Sequence, residues 1–423
     1  MSDTQKNNKP NVPNLSDKRE QKESEIPSAE RETNVGRNVP NLRFPGFSGE
    51  WKQYTMGEIT ELFSRRNKKR TDYPMFSVTN SRGFVNQQEQ FEEREMKGED
   101  IAAYKIVSSG EFAYNPARIN VSSIARYDGE TDCMISSLYV CFKAKKELVD
   151  SQLLLHILKS PKMLYNYGIN GEGGVRIYLF YPNFARIRVK LPSIEEQQKI
   201  ASFLNLIEER IQVQNEVIER YESLIRAIIL RSQSSSSSRK VYLREILNER
   251  KELNEHGYDI CSVSVSKGVV NQVEYLGRSF AAKETAHYHV VHKGDIVYTK
   301  SPTGEFPYGI IKQSYLDTPV AVSPLYGVYE PIDYLTGVYL HHFFCSPQNA
   351  KNYLHKLIQK GAKNTINITN QHFLDNLISI PGRDALQRIV ALIEILSMKV
   401  GFERKLLSFY SKQKNFLLSS LFI

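Results

Sequence analysis

The sequence predicts an α+β fold made by tandem duplication: a mixed α/β domain followed by a long helix, twice over, with the two helices packed along their length. Three observations carry it. First, the chain repeats itself. Tyr104, Val107, Gly110 and Tyr114 recur 184 residues on as Tyr288, Val291, Gly294 and Tyr298, laying GEFAY over GDIVY. Ser136, Leu138 and Tyr139 recur at an offset of 187 as Ser323, Leu325 and Tyr326. His156, Ser160 and Pro161 recur at 186 as His342, Ser346 and Pro347, and from Ile177 and Ile366 onward the offset stays at 189. So small a drift is what loop insertions leave. Second, each unit closes on a heptad seam whose spacing alternates four and three. It runs Ile200, Leu204, Ile207, Ile211, Gln214, Ile218, Tyr221, Ile225, Ile228 in the first unit, and Ile389, Ile393, Leu396, Val400, Glu403, Leu407, Tyr410, Lys414, Leu417 in the second. Third, 423 residues at roughly 150 per domain leave room for two to three domains, each able to bury its own core.

The elements follow in order. Residues 1–37 are rich in Lys, Glu, Asn and Ser and nearly free of large apolar side chains, which predicts a disordered extension. The pentapeptide NVPNL occurs at Asn11 and again at Asn38, so the fold is expected to begin at the second copy, with a mixed domain over 38–192. Leu191-Pro192-Ser193 reads as strand end, stop and N-cap, with Glu196 three residues past the cap. A helix is therefore expected over 193–233, where 193–231 alone reach about 58 Å at 1.5 Å per residue. The serine run inside 234–239 reads as a flexible linker. A second mixed domain occupies 240–381 and a second helix 382–423. Antiparallel pairing puts the domains at opposite ends of a rod; parallel pairing stays open, because 240–381 is long enough to span it. No apolar run approaches the roughly 18 residues of a membrane span, and the polar N-terminus has no apolar signal region, so a cytoplasmic protein is expected.

Composition excludes several classes. Hydrophobic residues at 41% and charged residues at 24% are ordinary globular values, not those of a disordered or collagen-like chain. Cys133, Cys141, Cys261 and Cys345 form no C-x-x-C pair, so they read as reduced thiols rather than a disulfide framework or zinc site. His287, His289 and His292 lack a carboxylate or cysteine in ligand register, so no metal is expected. Asn115-Pro116 is similar to the Asn-Pro-Pro-aromatic signature of adenine-N6 methyltransferases, but Ala117 and Arg118 replace its second half, and no glycine-rich cofactor turn precedes it. Asp295 to Lys300 with Glu305 loosely suggests a nuclease, yet the matching strand of the first unit has no lysine. Gly171-Glu172-Gly173-Gly174 could approach a phosphate but lacks the Lys-Ser/Thr of a P-loop. With no linked nucleophile, base and orienting group, the residues point to a binding scaffold.

The net charge of +9 permits a polyanionic partner without demanding one. Arg65, Arg66, Lys68, Lys69 and Arg70 crowd into a loop expected after a helix around Gly57 to Phe63, where they could neutralise phosphates. Asn115, Arg118 and Asn120 in the first unit, and Lys300 and Thr303 in the second, follow the repeated strand at equivalent places; Arg can read guanine and Asn adenine in the major groove. Arg176, beside the glycine loop, and Lys363 complete the candidate set. These segments differ between the units while their flanking strands match, as expected if two domains read different targets.

The unit order, VPNLRFPGFSGEW followed by Gly57-Glu58-Ile59, the GEFAY and GDIVY strands, and LPSIEEQQKIASFL with its degenerate partner IPGRDALQRIVALI resemble the specificity subunit of type I restriction-modification systems, over residues 38–423. The resemblance implies two target-recognition domains, 38–192 and 240–381, each reading half of a bipartite double-stranded DNA site, with the helices forming an antiparallel coiled coil that sets the spacer. Two modification (methyltransferase) subunits carrying S-adenosylmethionine, and restriction (endonuclease/translocase) subunits using ATP and Mg, would dock on it. This chain would hold no cofactor and do no chemistry. Where the first unit has Glu196 and Gln197 the second has Ala385 and Leu386, so different surface contacts are expected there. A stand-alone DNA-modifying enzyme and a coiled-coil adaptor whose end domains do not bind DNA are the rival readings.

Overall fold

The computed structural model describes residues 38–87, 101–173, 177–236, 238–277, 284–360 and 366–422. The expected disordered extension over 1–37, Arg176 and Lys363 lie outside the described residues. The first unit contains β1 (Lys52–Thr55), α1 (Met56–Ile59), β2 (Thr60–Phe63), β3 (Phe76–Thr79), β4 (Gly83–Asn86), β5 (Lys105–Val107), β6 (Phe112–Tyr114), β7 (Ile124–Arg126), β8 (Cys133–Ile135), β9 (Val140–Ala144), α2 (Ser151–Leu158), α3 (Pro161–Asn170), α4 (Tyr181–Ala185) and β10 (Arg188–Leu191), then the long helix α5 (Ile194–Gln233). The second contains β11 (Ser238–Tyr242), β12 (Leu247–Glu249), β13 (Cys261–Ser264), β14 (Gly268–Asn271), α6 (Gln272–Leu276), β15 (His289–Val291), β16 (Ile296–Tyr298), β17 (Ile311–Gln313), β18 (Val320–Val322), β19 (Gly327–Pro331), α7 (Tyr334–Phe344), α8 (Pro347–His355), β20 (Gln359–Lys360), β21 (Ile366–Asn367), α9 (Asn370–Phe373) and β22 (Leu377–Pro381), then α10 (Arg383–Leu421).

The two units share one topology. A four-stranded antiparallel sheet in the order β2-β9-β6-β7 corresponds to β12-β19-β16-β17, and the pairs β3-β4 and β5-β8 correspond to β13-β14 and β15-β18. Each sheet is buried on both faces, and the side chains differ by face because successive strand residues point to opposite sides. Phe112, Tyr114 and Phe142 meet Leu153, Tyr167 and Phe184 on the helical side, while Ala113, Ala125 and Cys141 meet Val107 and Ile135 on the hairpin side. The second unit does the same with Tyr298 and Tyr329 against Tyr339 and Phe373, and Val297 and Val328 against Val291 and Val322. Large rings fill the helix layer and small residues let the hairpins approach. The paired helices beneath each sheet start alike: Asp150 accepts from the Gln152 and Leu153 amides and Asp333 from Thr336, while Ser160-Pro161 and Ser346-Pro347 cap the next helix.

Helices α5 and α10 pair antiparallel. Lys414 donates to Glu208 and Gln214 to Glu403, and Lys399 lies over Tyr221, so residue numbers rise along one helix as they fall along the other; Arg404 adds a bond to Glu222 at 2.6 Å. Ile200, Leu204, Ile207, Ile218, Ile393, Leu396, Val400 and Leu417 are buried; Ile211, Tyr221, Ile225, Ile389, Leu407 and Tyr410 are half-buried along the same line. The pseudo-twofold axis passes through the Gln214–Glu403 pair, whose members are equivalents in the two copies. Around it, Arg210 lies over the Tyr410 ring at 5.7 Å and Lys399 over Tyr221 at 5.7 Å, and these four residues are likewise two equivalent pairs. The helix ends sink into opposite cores: Ile200 and Leu204 with Leu417, Leu418 and Leu421 in the first unit, Ile229 with Leu386, Val390 and Ile393 in the second. The domains therefore sit at opposite ends of a rod of about 60 Å, 40 residues at 1.5 Å each. Among the described residues no helix is long and apolar enough to cross a membrane.

Two local expectations change. The linker expected over 234–239 ends sooner than its composition suggests: Ser238 already opens β11, which pairs with β22, and its Oγ donates to the Ser232 carbonyl at 2.6 Å, while Ser237 lies outside the described residues. The Glu196/Gln197 difference is buried rather than on the surface. Glu196 forms a two-pronged pair with Arg43 (2.8 and 2.7 Å), and Gln197 accepts from the Asp150 amide at 2.9 Å and donates to the Leu148 and Pro192 carbonyls. Arg43 comes from a strap over 38–51 that also joins the far end of the chain, through Leu42 N to Ser420 O at 3.2 Å, and stacks Phe44 edge-on against Phe203. In the second unit Ala385 stands in the place of Glu196, and Leu386 is simply core.

Because removing one member of a buried pair strands the other, Arg43→Ala is expected to cost about 3 kcal/mol of stability. Adding Glu196→Ala, the residue type that the second unit carries at Ala385, should recover most of that loss. Urea denaturation of the single and double variants checks this.

Candidate nucleic-acid interface

Strands β2 and β6 both run antiparallel to β9, so they run parallel to each other and their following loops leave the same edge of the sheet. The segment that leads into β9 joins them there. Three loops thus share one edge: the basic loop after Phe63, the turn Ser136–Tyr139, and the turn after Tyr114 that holds Asn115, Arg118 and Asn120. In the second unit β12 and β16 pair with β19 in the same way, gathering the loop after Glu249, the turn Ser323–Tyr326, and the loop after Tyr298 that holds Lys300 and Thr303. The structure brings the described candidates of each unit to one edge.

The basic loop is an organised turn, and the expected helix around Gly57 to Phe63 ends at Ile59, with β2 taking its second half. Asn67 is buried and closes the turn with both ends of its amide, accepting from the Thr71 amide at 3.0 Å and donating to the Thr71 carbonyl at 2.8 Å. Asn254 does the same with Tyr258 at 2.7 and 3.3 Å. Both asparagines donate their own amide to an equivalent tyrosine carbonyl, Tyr104 and Tyr288, at 2.9 Å. On this common frame the first unit mounts Lys68, Lys69 and Arg70, and the second mounts Glu255, His256 and Gly257. Arg70 has φ of +53° where Gly257 has +71°, a left-handed conformation that disfavours a side chain by about 1 kcal/mol. Arg65 differs from its neighbours: it is paired with Glu111 at 2.6 Å and Ser108 at 2.9 Å and lies over Phe63. Arg66, Lys68 and Lys69 are exposed with no side-chain partner among the described residues.

In the turn after β6, Asn115 Oδ1 accepts from the Ala117 amide at 3.0 Å, and the carbonyl of buried Pro116 accepts from Leu179. The likeness to a methyltransferase motif is a turn closing on itself. Arg118 is exposed and Asn120 half-buried beside it. The Leu179 bond ties in the segment around Glu172 and Tyr178, whose flanking Tyr178 and Phe180 rings are exposed and stacked 6.2 Å apart. At the equivalent edge of the second unit, Lys300 (φ +60°) is half-buried; burial pulls its ammonium below the usual lysine range and Glu249 partly restores it. Thr303 bridges Phe306, and Tyr308 OH bonds His355 Nδ1 at 3.0 Å.

The sequence reading missed Leu138 and Leu325. The repeat aligned them, but a repeated leucine reads as core, whereas these are 79% and 73% exposed. His289 Nδ1 donates to the Tyr326 carbonyl and His292 bonds Glu252, and among the described residues no group of three or more His, Cys, Asp or Glu could hold a metal. Burial raises the Cys133 and Cys141 thiols to about 12 and Cys261 to about 11, which makes them poor nucleophiles.

Residues 48–222 match the family model of the type I restriction modification DNA specificity domain. No curated protein matches the chain. The crystal structure of a type I restriction-modification system S subunit from M. genitalium has a TM-score of 0.55 at 13% identity, covering 91% of this chain and 99% of that one. A structure reported for complex assembly and conformational transition of the type I R-M system gives 0.47 at 14%, over 89% and 97%. The HsdS subunit from Thermoanaerobacter tengcongensis gives 0.37 at 16%, over 92% and 99%.

Since the Asn67 side chain supplies both amide bonds that reach across the basic loop to Thr71, Asn67→Ala should cost about 2 kcal/mol through the unpaired groups it leaves. Hydrogen exchange at the Thr71 amide should accelerate while β6 and β9 stay protected; unchanged exchange at Thr71 would show that the loop is held otherwise.

Proposed function

Residues 48–222 are a type I restriction-modification DNA specificity domain, and from that premise we propose that the whole chain is the specificity subunit of such a complex, each unit reading one half of a bipartite DNA site. The observation that carries this is the repeated three-loop edge, built on one frame and carrying different side chains in the two units, held at opposite ends of a rod. Equal frames with unequal loops suit a reader of two different half-sites.

The rod also serves as a scaffold. Along α10, Leu392, Ile395, Phe402, Leu406, Phe409 and Phe416 are all exposed and recur at steps of three, four and seven, a second apolar line outside the seam that suits a partner's helix. The modification subunits dock there in this reading, bringing S-adenosylmethionine, and restriction subunits bring ATP and Mg; this chain contributes the address and no bond-making step. Its working place is the cytoplasm, with the DNA.

The test is salt dependence. In the assembled complex, Arg66→Ala with Lys68→Ala and Lys69→Ala should weaken duplex binding and lower the slope of log K against log salt by about 0.9 for each phosphate that is no longer neutralised. Arg65→Ala should leave that slope unchanged, because its guanidinium is held by Glu111. An unchanged slope in the triple variant would make the loop a solvated surface.

A further inference from the structure

Leu138 and Leu325 stand at the middle of the edge in each unit, on a turn that is more rigidly built than an exposed leucine needs. Ser136 Oγ accepts from the Leu138 amide at 3.4 Å and Ser323 Oγ from Leu325 at 3.3 Å. The turn closes through Tyr139 N to Ser136 O at 3.1 Å and Tyr326 N to Ser323 O at 2.9 Å. A third bond comes from the neighbouring strand: Lys105 Nζ donates to the Tyr139 carbonyl at 2.5 Å, and His289 Nδ1, at the equivalent place, to the Tyr326 carbonyl at 3.1 Å. The two units thus preserve the leucine and the bonds that aim it, while replacing the donor and nearly every neighbouring loop side chain.

The surroundings define what such a leucine meets. In the first unit it is flanked by the loop of Arg66, Lys68 and Lys69 on one side and the Arg118 turn on the other; in the second, by a loop that carries exposed Lys251, Glu255 and His256 and by the Lys300 loop with exposed Glu305. In the first unit an apolar tip between cations matches a polyanion with apolar surface recessed between its charges, which is a DNA groove: phosphates on the rims and base edges or thymine methyls on the floor; the second unit keeps the same aimed leucine with Lys251 and Lys300 beside it. A protein partner would be served by a broader apolar patch, such as the one on α10.

We propose that Leu138 and Leu325 are the paired apolar probes of the two recognition units, each entering a groove and touching bases while the flanking cations hold the phosphates. This rests on the DNA-reading function proposed above. Such an interaction adds affinity that does not depend on salt, since no phosphate is neutralised.

The experiment uses the full chain assembled with its modification subunits and a labelled duplex containing the methylated site found in cells that express them. Leu138→Ala, Leu325→Ala and the double variant are compared with wild type between 50 and 200 mM salt. Burying a leucine rather than an alanine predicts about a tenfold drop in affinity for each single variant and about a hundredfold for the double, with parallel lines of log K against log salt. Both side chains are exposed, so thermal stability and the assembled size should stay as in wild type. Unchanged affinity overturns the proposal, as does a drop traced to failed assembly, which would make the leucines protein contacts. A wild-type complex that binds no duplex overturns the functional reading and this proposal together; wild-type binding with unaffected variants overturns the proposal alone.

Discussion

The antiparallel pairing of α5 and α10 is the constraint on which the rest of the molecule depends. Each helix grows out of one domain and ends inside the core of the other, so neither domain completes its core without the opposite helix. The register of the pair is marked at its centre by Gln214 and Glu403, equivalent residues that bond each other across the pseudo-twofold axis. A polar pair in an apolar seam specifies alignment, because any slip would bury both groups without a partner. The Arg210/Tyr410 and Lys399/Tyr221 contacts repeat that marking on either side. Separation and relative rotation of the two edges follow from this register.

Within each domain, the side chains that vary between the units are separated from those that hold the fold. The sheet is covered on both faces, so its stability comes from rings on the helix side and small residues on the hairpin side. Loops at the edge are closed by backbone bonds and by a single buried asparagine, Asn67 or Asn254. Side chains along these loops can then change sign, from Lys68 and Lys69 to Glu255 and His256, without disturbing the frame. The strap over 38–51 ties the start of α5 to the end of α10, with Arg43 meeting Glu196 and Leu42 meeting Ser420.

Periodic features were legible in the sequence and singular ones were not. The duplication and the heptad seam declare themselves because many residues must agree at fixed spacing, and the helices at 194–233 and 383–421 lie close to the expected bounds. The gathering of Arg118 and the basic loop at one edge was not legible, since it follows from strand order, which spacing does not encode. Arg65 read as one more free cation because its partner Glu111 is distant in sequence. Glu196 read as surface because an acidic residue in a first helical turn usually is, and only the strap buries it. Leu138 failed for the opposite reason: hydropathy alone assigns a leucine to the core. Ser238, at the end of the serine run, shows that composition suggests flexibility where strand pairing removes it.

The central claim is that the helices measure and the edges read. It is tested most directly by methylome sequencing of cells that express the modification subunits with either the wild-type chain or one lengthened by a heptad in α5 after Ile211 and a heptad in α10 after Leu407, opposite it. Seven residues at 1.5 Å lengthen the rod by about 10 Å, roughly three base pairs at 3.4 Å each. The account predicts a bipartite site whose half-site bases are the same in both strains and whose spacer grows by about three base pairs. New half-site bases at an unchanged spacer would contradict it.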